Sequence, residues 1–275
     1  MTAQPLPPDR TPSGWGRVAE AYDARVTPVF VQFAKDALRL TGLAAGERVL
    51  DVAAGTGALS IEAARRGARV LATDFAPEMI AQLEARARRE KVDVETRVMD
   101  GQALAVDPAS FDAAYSVFGL IFFPDRAAGF RGMRRALKPG GRCAVVAWST
   151  PDRLDWFAAF GAAMKRTFPD HPPPPSPPAV FSLSDPGRLR REMEDAGFVD
   201  VRVETVRHPW IVPSLSEEWP TLTTTNPVVP AFLTGLSPGE VERLRVAVLE
   251  ASARFARPDG AIEMWGEAHV ATGRA

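Results

Sequence analysis

Cysteine is almost missing from this chain. Cys143 stands alone, which excludes an internal disulfide and any metal site built from several thiolates. It lies in the apolar run CAVVAW (143–148), so a buried structural thiol is expected. Missing as well is any uninterrupted apolar stretch near the ~18–20 residues that a bilayer-spanning helix needs, so no membrane insertion is expected. Nor is there an excess of one charge: 33 Lys and Arg face 34 Asp and Glu, a formal net charge of −1. That balance gives no general attraction to nucleic acid or to an anionic membrane. The basic runs RARRE (86–90) and RGMRR (131–135) fall where helices are predicted and read as solvated helix faces. The first 14 residues are proline-rich and polar, with no apolar signal core. They read as a disordered leader, and the protein as cytoplasmic.

What is present is an ordinary globular composition, 46% hydrophobic and 24% charged over 275 residues, enough to bury one large core with insertions. Residues 15–41 read as helical, with Val26, Phe30, Phe33, Ala37 and Leu38 at three- and four-residue steps and Gly42 as the stop. Strands and helices then alternate. Strands are predicted at 48–53, 69–74, 92–100, 111–119 and 142–148, and helices at 56–67, from Pro77, and at 126–137. A turn is expected at KPGG (138–141). Short apolar strands separated by helices imply a parallel sheet covered on both faces. The alternation breaks at FPDHPPPPSPPAVF (168–181), which reads as a stiff polyproline connector. A helix capped by Asp185 and a sixth strand at 199–208 restore it. Proline-rich loops, a helix from Pro238 to about Ala256 and a last strand at 265–274 complete the chain. The resulting division is a leader (1–14), an N-terminal helical cap (15–41), a core (42–150, 184–208 and 263–275) and two cap insertions (151–183 and 209–262).

The chemistry starts at VLDVAAGTGALS (49–60), a strand running into a glycine turn. The dinucleotide fingerprint G-x-G-x-x-G is incomplete, because Ser60 stands where its third glycine belongs. Asp51 argues further against a diphosphate, since a carboxylate a few ångströms away would cost on the order of several kcal/mol. A cofactor with a cationic head group fits instead, and S-adenosylmethionine is one. The turn glycines Gly55 and Gly57 then let backbone approach its methionine part. Asp74 ends the second strand, where an acidic side chain accepts both ribose hydroxyls; a helix N-cap is its compatible alternative. Asp100 ends the third strand, where an adenine amino group is met, unless it is only a turn residue.

With these residues in place the chain resembles the class I S-adenosylmethionine-dependent methyltransferases, closely over residues 15–150 and loosely over 184–208. VLDVAAGTG (49–57) matches the first family motif, with Ala53 where some members have glycine. LATDFAPEMI (71–80), which carries Phe75, matches the second, and MDGQAL (99–104) the third. FDAAYSVFGLIFFPD (111–125) matches the fourth, and ALKPGGRCAVVAW (136–148) the region through the fifth strand. The resemblance implies a Rossmann-like, doubly wound α/β fold of seven strands, the last antiparallel, with helical cap insertions. It implies that Asp51, Gly55 and Gly57 surround the methionine moiety, Asp74 the ribose, and Asp100, Gly101 and Gln102 the adenine, with Ala53 and Phe75 also among the cofactor-binding residues. Ser116 would face the sulfur, and Trp15 and Tyr22 would fold over the carboxypropyl end. The group that includes quinone-biosynthesis and small-molecule methyltransferases is the most similar.

Methyl transfer from a sulfonium requires chiefly that a nucleophile be held in line at roughly 3 Å and that water be excluded. A base helps when the nucleophile is a hydroxyl. Of the three histidines His208 is best placed for it, with a structural role as its alternative; His171 and His269 are weaker candidates. The segment SVFGLIFF (116–123) lacks the Asn/Asp-Pro-Pro-Tyr type of sequence of base-amino methyltransferases. A single cysteine does not suit arsenite chemistry. Asp112 and Asp125 are isolated, so no metal is expected. What remains is a small, apolar or aromatic acceptor, with Phe118, Phe122, Trp156, Phe160 and Trp210 as candidate pocket walls. The same aromatics could instead pack the cap or cover a homodimer surface. Two further functions stay open at this point: a decarboxylation or cyclisation that uses the bound cofactor differently, and a non-catalytic interaction module.

Overall fold

The computed structural model describes residues 6–171 and 178–275. The central residues of the proline connector, 172–177, lie outside them. The core is a seven-stranded sheet in the order β3-β2-β1-β4-β5-β7-β6. Its strands are β1 (Arg48–Val52), β2 (Arg69–Asp74), β3 (Glu95–Val98), β4 (Phe111–Val117), β5 (Leu137–Trp148), β6 (Val199–Val212) and β7 (Ile262–Arg274). The first five run parallel, and β7 lies antiparallel between β5 and β6. From β1 the chain winds outward through β2 to β3 and then returns to lay β4 on the other side of β1. That reversal opens a crevice at the carboxyl ends of β1 and β4, the usual ligand position in open α/β sheets. Asp51 is in register with Ala72 on β2 and Tyr115 on β4, at the centre of the sheet. The KPGG turn survives within β5, where its four residues stand opposite Asp112 alone and the register with β4 shifts. Cys143 is fully buried, and burial pushes its thiol up.

The N-terminal segment departs from expectation twice. It is not one helix but two, α1 (Pro12–Arg25) and α2 (Thr27–Thr41). Pro28 sits in the first turn of α2, where its missing N–H costs nothing, whereas inside a continuous helix it would break the ladder. The leader is ordered from at least Pro8. Residues Pro8–Arg10 form a 3-10 turn, Thr11 caps α1 by accepting from the Gly14 N–H, and Asp9 is buried. Thr-Pro at residues 11–12 is a helix-start signal that the proline-rich composition masked.

The remaining core helices are α3 (Ala58–Arg65), α4 (Pro77–Glu90), α5 (Arg126–Ala136) and α7 (Pro186–Asp195). Asp185 caps α7 through the Gly187 N–H. The first insertion contains α6 (Asp155–Thr167), and the second holds α8 (Leu215–Thr225), α9 (Val228–Leu233) and α10 (Pro238–Ser252). The loops expected from the prolines of 209–237 are thus largely helical, with Pro220 inside α8 and Pro230 inside α9. Ala163, Leu244, Ala247 and Val248 form a small separate core there, with Phe160, Phe168, Trp219 and Phe232 against it. Burial of this apolar face outweighs the local helix penalty of proline. Among the described residues no helix is long and apolar enough to cross a membrane.

Candidate functional site

A cavity of about 880 Å³ opens at the carboxyl edge of β1, β2 and β4 and extends under the cap. Of the residues singled out by sequence, Trp15, Tyr22, Asp51, Ala53, Gly55, Asp74, Phe75, Asp100, Gly101, Gln102, Phe118, Phe122, Trp156, Phe160 and Trp210 line it. Gly57, Ser116 and His208 do not.

The floor of the cavity is the turn after β1. Ala53 and Gly55 both adopt positive φ, +55° and +56°, which turns the backbone sharply. A Cβ on Gly55 would meet only Tyr22 Cε1, at 3.9 Å, so the space above the turn is open. Asp51 is 1% exposed. Its Oδ2 accepts from Ser60 Oγ at 2.6 Å, while its Oδ1 is buried without a partner. Burial, partly offset by the Ser60 bond and reinforced by Asp74, pushes its carboxyl up to about 7. Ser60 therefore has a reason to replace the third fingerprint glycine: its hydroxyl orients the carboxylate. Sequence reading missed this partner. Asp74 accepts from the Gly55 N–H at 2.9 Å and the Ala76 N–H at 2.9 Å, and burial pushes it up to about 6 against these bonds. Each of its oxygens keeps lone pairs for a ligand.

Gly57 serves packing. At φ +88° a Cβ there would come within 2.8 Å of Leu83 Cγ, so it brings α3 against α4 rather than facing the cavity. Ser116 is fully buried with an unpartnered Oγ. It lies beneath Gly119, whose added Cβ would reach Ser116 Oγ at 2.8 Å and Ala53 Cβ at 2.5 Å. The wall formed by Gly119 and Ala53 thus stands between Ser116 and the cavity.

Beyond β3, Asp100 Oδ1 accepts from the Gln102 backbone N–H at 2.9 Å and from its Nε2 at 3.2 Å. Gln102 Oε1 accepts from the Asp125 N–H. A Cβ on Gly101 would fall 2.4 Å from Phe123 Cζ, so glycine is what lets Phe123 close this end. Over the turn stands an aromatic roof: Trp15 meets Phe122 edge-on at 5.0 Å and Tyr22 at 5.9 Å. Trp15 Nε1 donates to the Asp9 carbonyl at 2.9 Å, which ties the roof to the ordered leader.

Under the cap the cavity becomes aromatic. Phe118, at the strained φ of +57°, stacks on Trp148 at 3.9 Å. Trp148 touches Trp156 at 5.3 Å, and Trp156 touches Trp210 at 5.1 Å. Gly266 on β7 makes room for this row, since a Cβ there would lie 2.1 Å from Trp156 Cη2. Five cap aromatics, Trp156, Phe157, Phe160, Phe181 and Trp210, line the cavity, whereas Phe168, Trp219 and Phe232 pack the cap.

The histidines stand apart. His208 Nε2 donates to Asp36 Oδ2 at 2.6 Å, and its ring sits edge-on to Phe33 at 4.8 Å. The pair ties edge strand β6 to α2, outside the cavity, because β6 runs on to Val212 and only its last residues reach the crevice. His269 Nε2 donates to the Ser184 carbonyl and Nδ1 accepts from Thr205 Oγ1; burial lowers its basicity. Among the described residues no group of three or more His, Cys, Asp or Glu is placed to hold a metal ion.

A mixed α/β sheet with a glycine turn, a buried half-paired carboxylate beside it and an aromatic chamber next door defines a Rossmann-like protein with a cavity at the switch point. Residues 49–141 match the family model described as Methyltransferase domain. The chain is 35% identical over 164 residues to a demethylmenaquinone methyltransferase of Corynebacterium glutamicum, covering 56% of this chain and 69% of that protein. An uncharacterised protein of Mycobacterium bovis, Mb1440c, is 36% identical over 132 residues, 48% of this chain and 46% of that protein. The chain thus spans about half the length of the first curated relatives it matches. In fold it is similar to Haemonchus contortus phosphoethanolamine N-methyltransferase 2 solved with S-adenosyl-L-methionine, with a TM-score of 0.54, 21% identity and coverage of 88% of this chain and 52% of that one. The chain belongs to the class I S-adenosylmethionine-dependent methyltransferases.

Proposed function

We propose that the protein transfers the methyl group of S-adenosylmethionine to a small, apolar or aromatic molecule by in-line displacement. The observation that carries this reading is the buried, unpartnered Oδ1 of Asp51 at the edge of the cavity. A buried polar atom without a partner is costly, and a ligand ammonium removes the cost. Bound there, S-adenosylmethionine supplies a methyl group on a positively charged sulfur that is already a good leaving group. The protein's part is placement. Asp51 holds the ammonium, Asp74 accepts the ribose hydroxyls, and Asp100 with Gln102 meets the adenine. Trp15, Tyr22 and Phe122 roof the ligand and keep water out. Phe118, Trp148, Trp156, Phe160 and Trp210 hold an apolar acceptor against it, and fixing the two partners in line is worth several orders of magnitude in rate.

Isothermal titration of the full chain with S-adenosylhomocysteine tests the cofactor half, with micromolar affinity expected, ~8 kcal/mol. Incubation with methyl-labelled S-adenosylmethionine and a panel of quinols, phenols, amines and thiols tests the transfer half. Binding without label transfer to any acceptor would redirect the assignment to another use of the cofactor. Absence of binding would end it.

His208 is outside the cavity, so His208→Ala is expected to keep the transfer rate within about threefold. It should cost on the order of 1 kcal/mol of stability through the lost Asp36 bond, read as a lowered urea midpoint. A rate loss of a hundredfold would restore His208 as the base.

A further inference from the structure

One buried carboxyl in the cavity wall has no part in holding the cofactor. Glu218 on α8 is 6% exposed and lines the cavity with Thr221, Leu222 and Thr225. These positions recur at three- and four-residue steps, so one face of α8 is turned to the chamber. Three of its four residues are polar and buried, in a chamber otherwise walled by Trp148, Trp156, Phe157, Phe181 and Trp210.

Packing alone does not account for Glu218. Its only hydrogen bond among the described residues is from Ser252 Oγ to Oε1, at a long 3.4 Å. Burying a carboxyl for one weak bond costs more than it returns, and leucine or glutamine would join α8 to α10 better. Arg25 on α1 is taken by Glu217 at 2.7 Å and Thr221 Oγ1 at 3.0 Å, and neither it nor Arg10, which also lines the cavity, forms an ion pair with Glu218 among the described residues. Glu218 Oε2 therefore remains open to something in the chamber. Thr225 Oγ1 donates to the Thr221 carbonyl, which leaves its lone pairs as further acceptors on the same face, about two helical turns from Glu218.

We propose that the inward face of α8, with Glu218 as its anchor, is the recognition wall of the acceptor chamber and receives a hydroxyl group carried by an otherwise apolar ring system. This rests on the methyl-transfer reading above. It is a binding contact, not a proton-transfer step. A hydroxyl suits the site better than an ammonium does. Burial raises the Glu218 carboxyl to about 7, so both protonation states are populated near neutrality. A hydroxyl donates to the carboxylate and accepts from the acid, whereas an ammonium requires a desolvated ion pair that this wall supports with one long bond.

The test is calorimetric binding of 2-naphthol, 2-methoxynaphthalene and 2-naphthylmethylamine to the full chain saturated with S-adenosylhomocysteine. In the wild type 2-naphthol is expected to bind at least tenfold more tightly than its methyl ether. Glu218→Leu should bring the two within about threefold by weakening naphthol alone. Glu218→Gln, which keeps an acceptor oxygen and the side-chain shape, should retain part of the preference and serves if the leucine variant does not fold. Affinity for S-adenosylhomocysteine should be unchanged in both variants; its loss in the wild type would strike the cofactor reading and not this one. Equal binding of naphthol and ether, a preference that survives Glu218→Leu, tighter binding of the amine, or binding of none of the three probes overturns the proposal.

Discussion

Replacing Asp51 by asparagine is expected to make the ligand-free protein more stable at pH 8 while reducing its affinity for S-adenosylhomocysteine about a hundredfold. The two effects share one cause. The Asp51 carboxyl titrates at about 7 in the fold, chiefly because it is buried, against 3.8 in an exposed setting. Between these values the folded state holds a proton that the unfolded chain has released. Wild-type stability therefore falls as pH rises from about 4 to about 7 and levels off above. The displacement corresponds to at most ~4 kcal/mol. Part of it is shared with Asp74, and the new amide leaves an N–H where Oδ1 was unpartnered. A net gain on the order of 2 kcal/mol, roughly 4–8 °C in Tm, is expected. In binding, the asparagine loses a charge-assisted bond worth ~2–3 kcal/mol.

Wild-type affinity for S-adenosylhomocysteine should rise roughly tenfold from pH 6 to 7.5 as Asp51 ionises, and the variant should change by only about twofold over that range, through Asp74. Thermal melts at pH 5 and pH 8 with titrations at matched pH check both halves. A variant that binds as well as the wild type would remove Asp51 from the site.

Asp74→Ala should abolish measurable binding, a loss of more than a hundredfold, and unlike Asp51→Asn it should also destabilise the fold. Asp74 holds the N–H groups of Gly55 and Ala76, one on each oxygen. Without it two backbone donors lose their partners, each costing ~1–3 kcal/mol if left dry. The relief of a carboxyl raised to about 6 by burial offsets part of this, so a net loss of about 1–3 kcal/mol is expected. 5′-Methylthioadenosine separates the two aspartates. It keeps the ribose and lacks the ammonium, so Asp74→Ala should weaken it and Asp51→Asn should leave it within about twofold. Equal effects of both variants on this ligand would show that the two carboxylates act as one unit.

The acidic floor of the cavity was legible because parallel strands make it so. Asp51, Asp74 and Asp100 each lie at or just after the end of a strand, and parallel neighbours bring those ends to one edge. What escaped was set by long-range contact. His208 closed the sixth strand in the local pattern, yet a partner 172 positions away, Asp36, holds it off the cavity. Ser116 ends the fourth strand as expected, but the close approach of Gly119 and Ala53 seals it in. The ordered leader and α8 were concealed by prolines, which act locally as breakers but are tolerated at helix starts and where packing compensates.

The chain by itself therefore determined the strands, the glycine turn and the acidic side chains at the strand ends, since each is marked by the residues within a dozen positions around it. Only tertiary structure decided which aromatics face the chamber, that His208 stands outside it and that Glu218 and Asp9 reach the cavity wall. Those outcomes depend on how the cap helices close over the sheet, and burial between distant segments is not encoded in any single stretch of sequence.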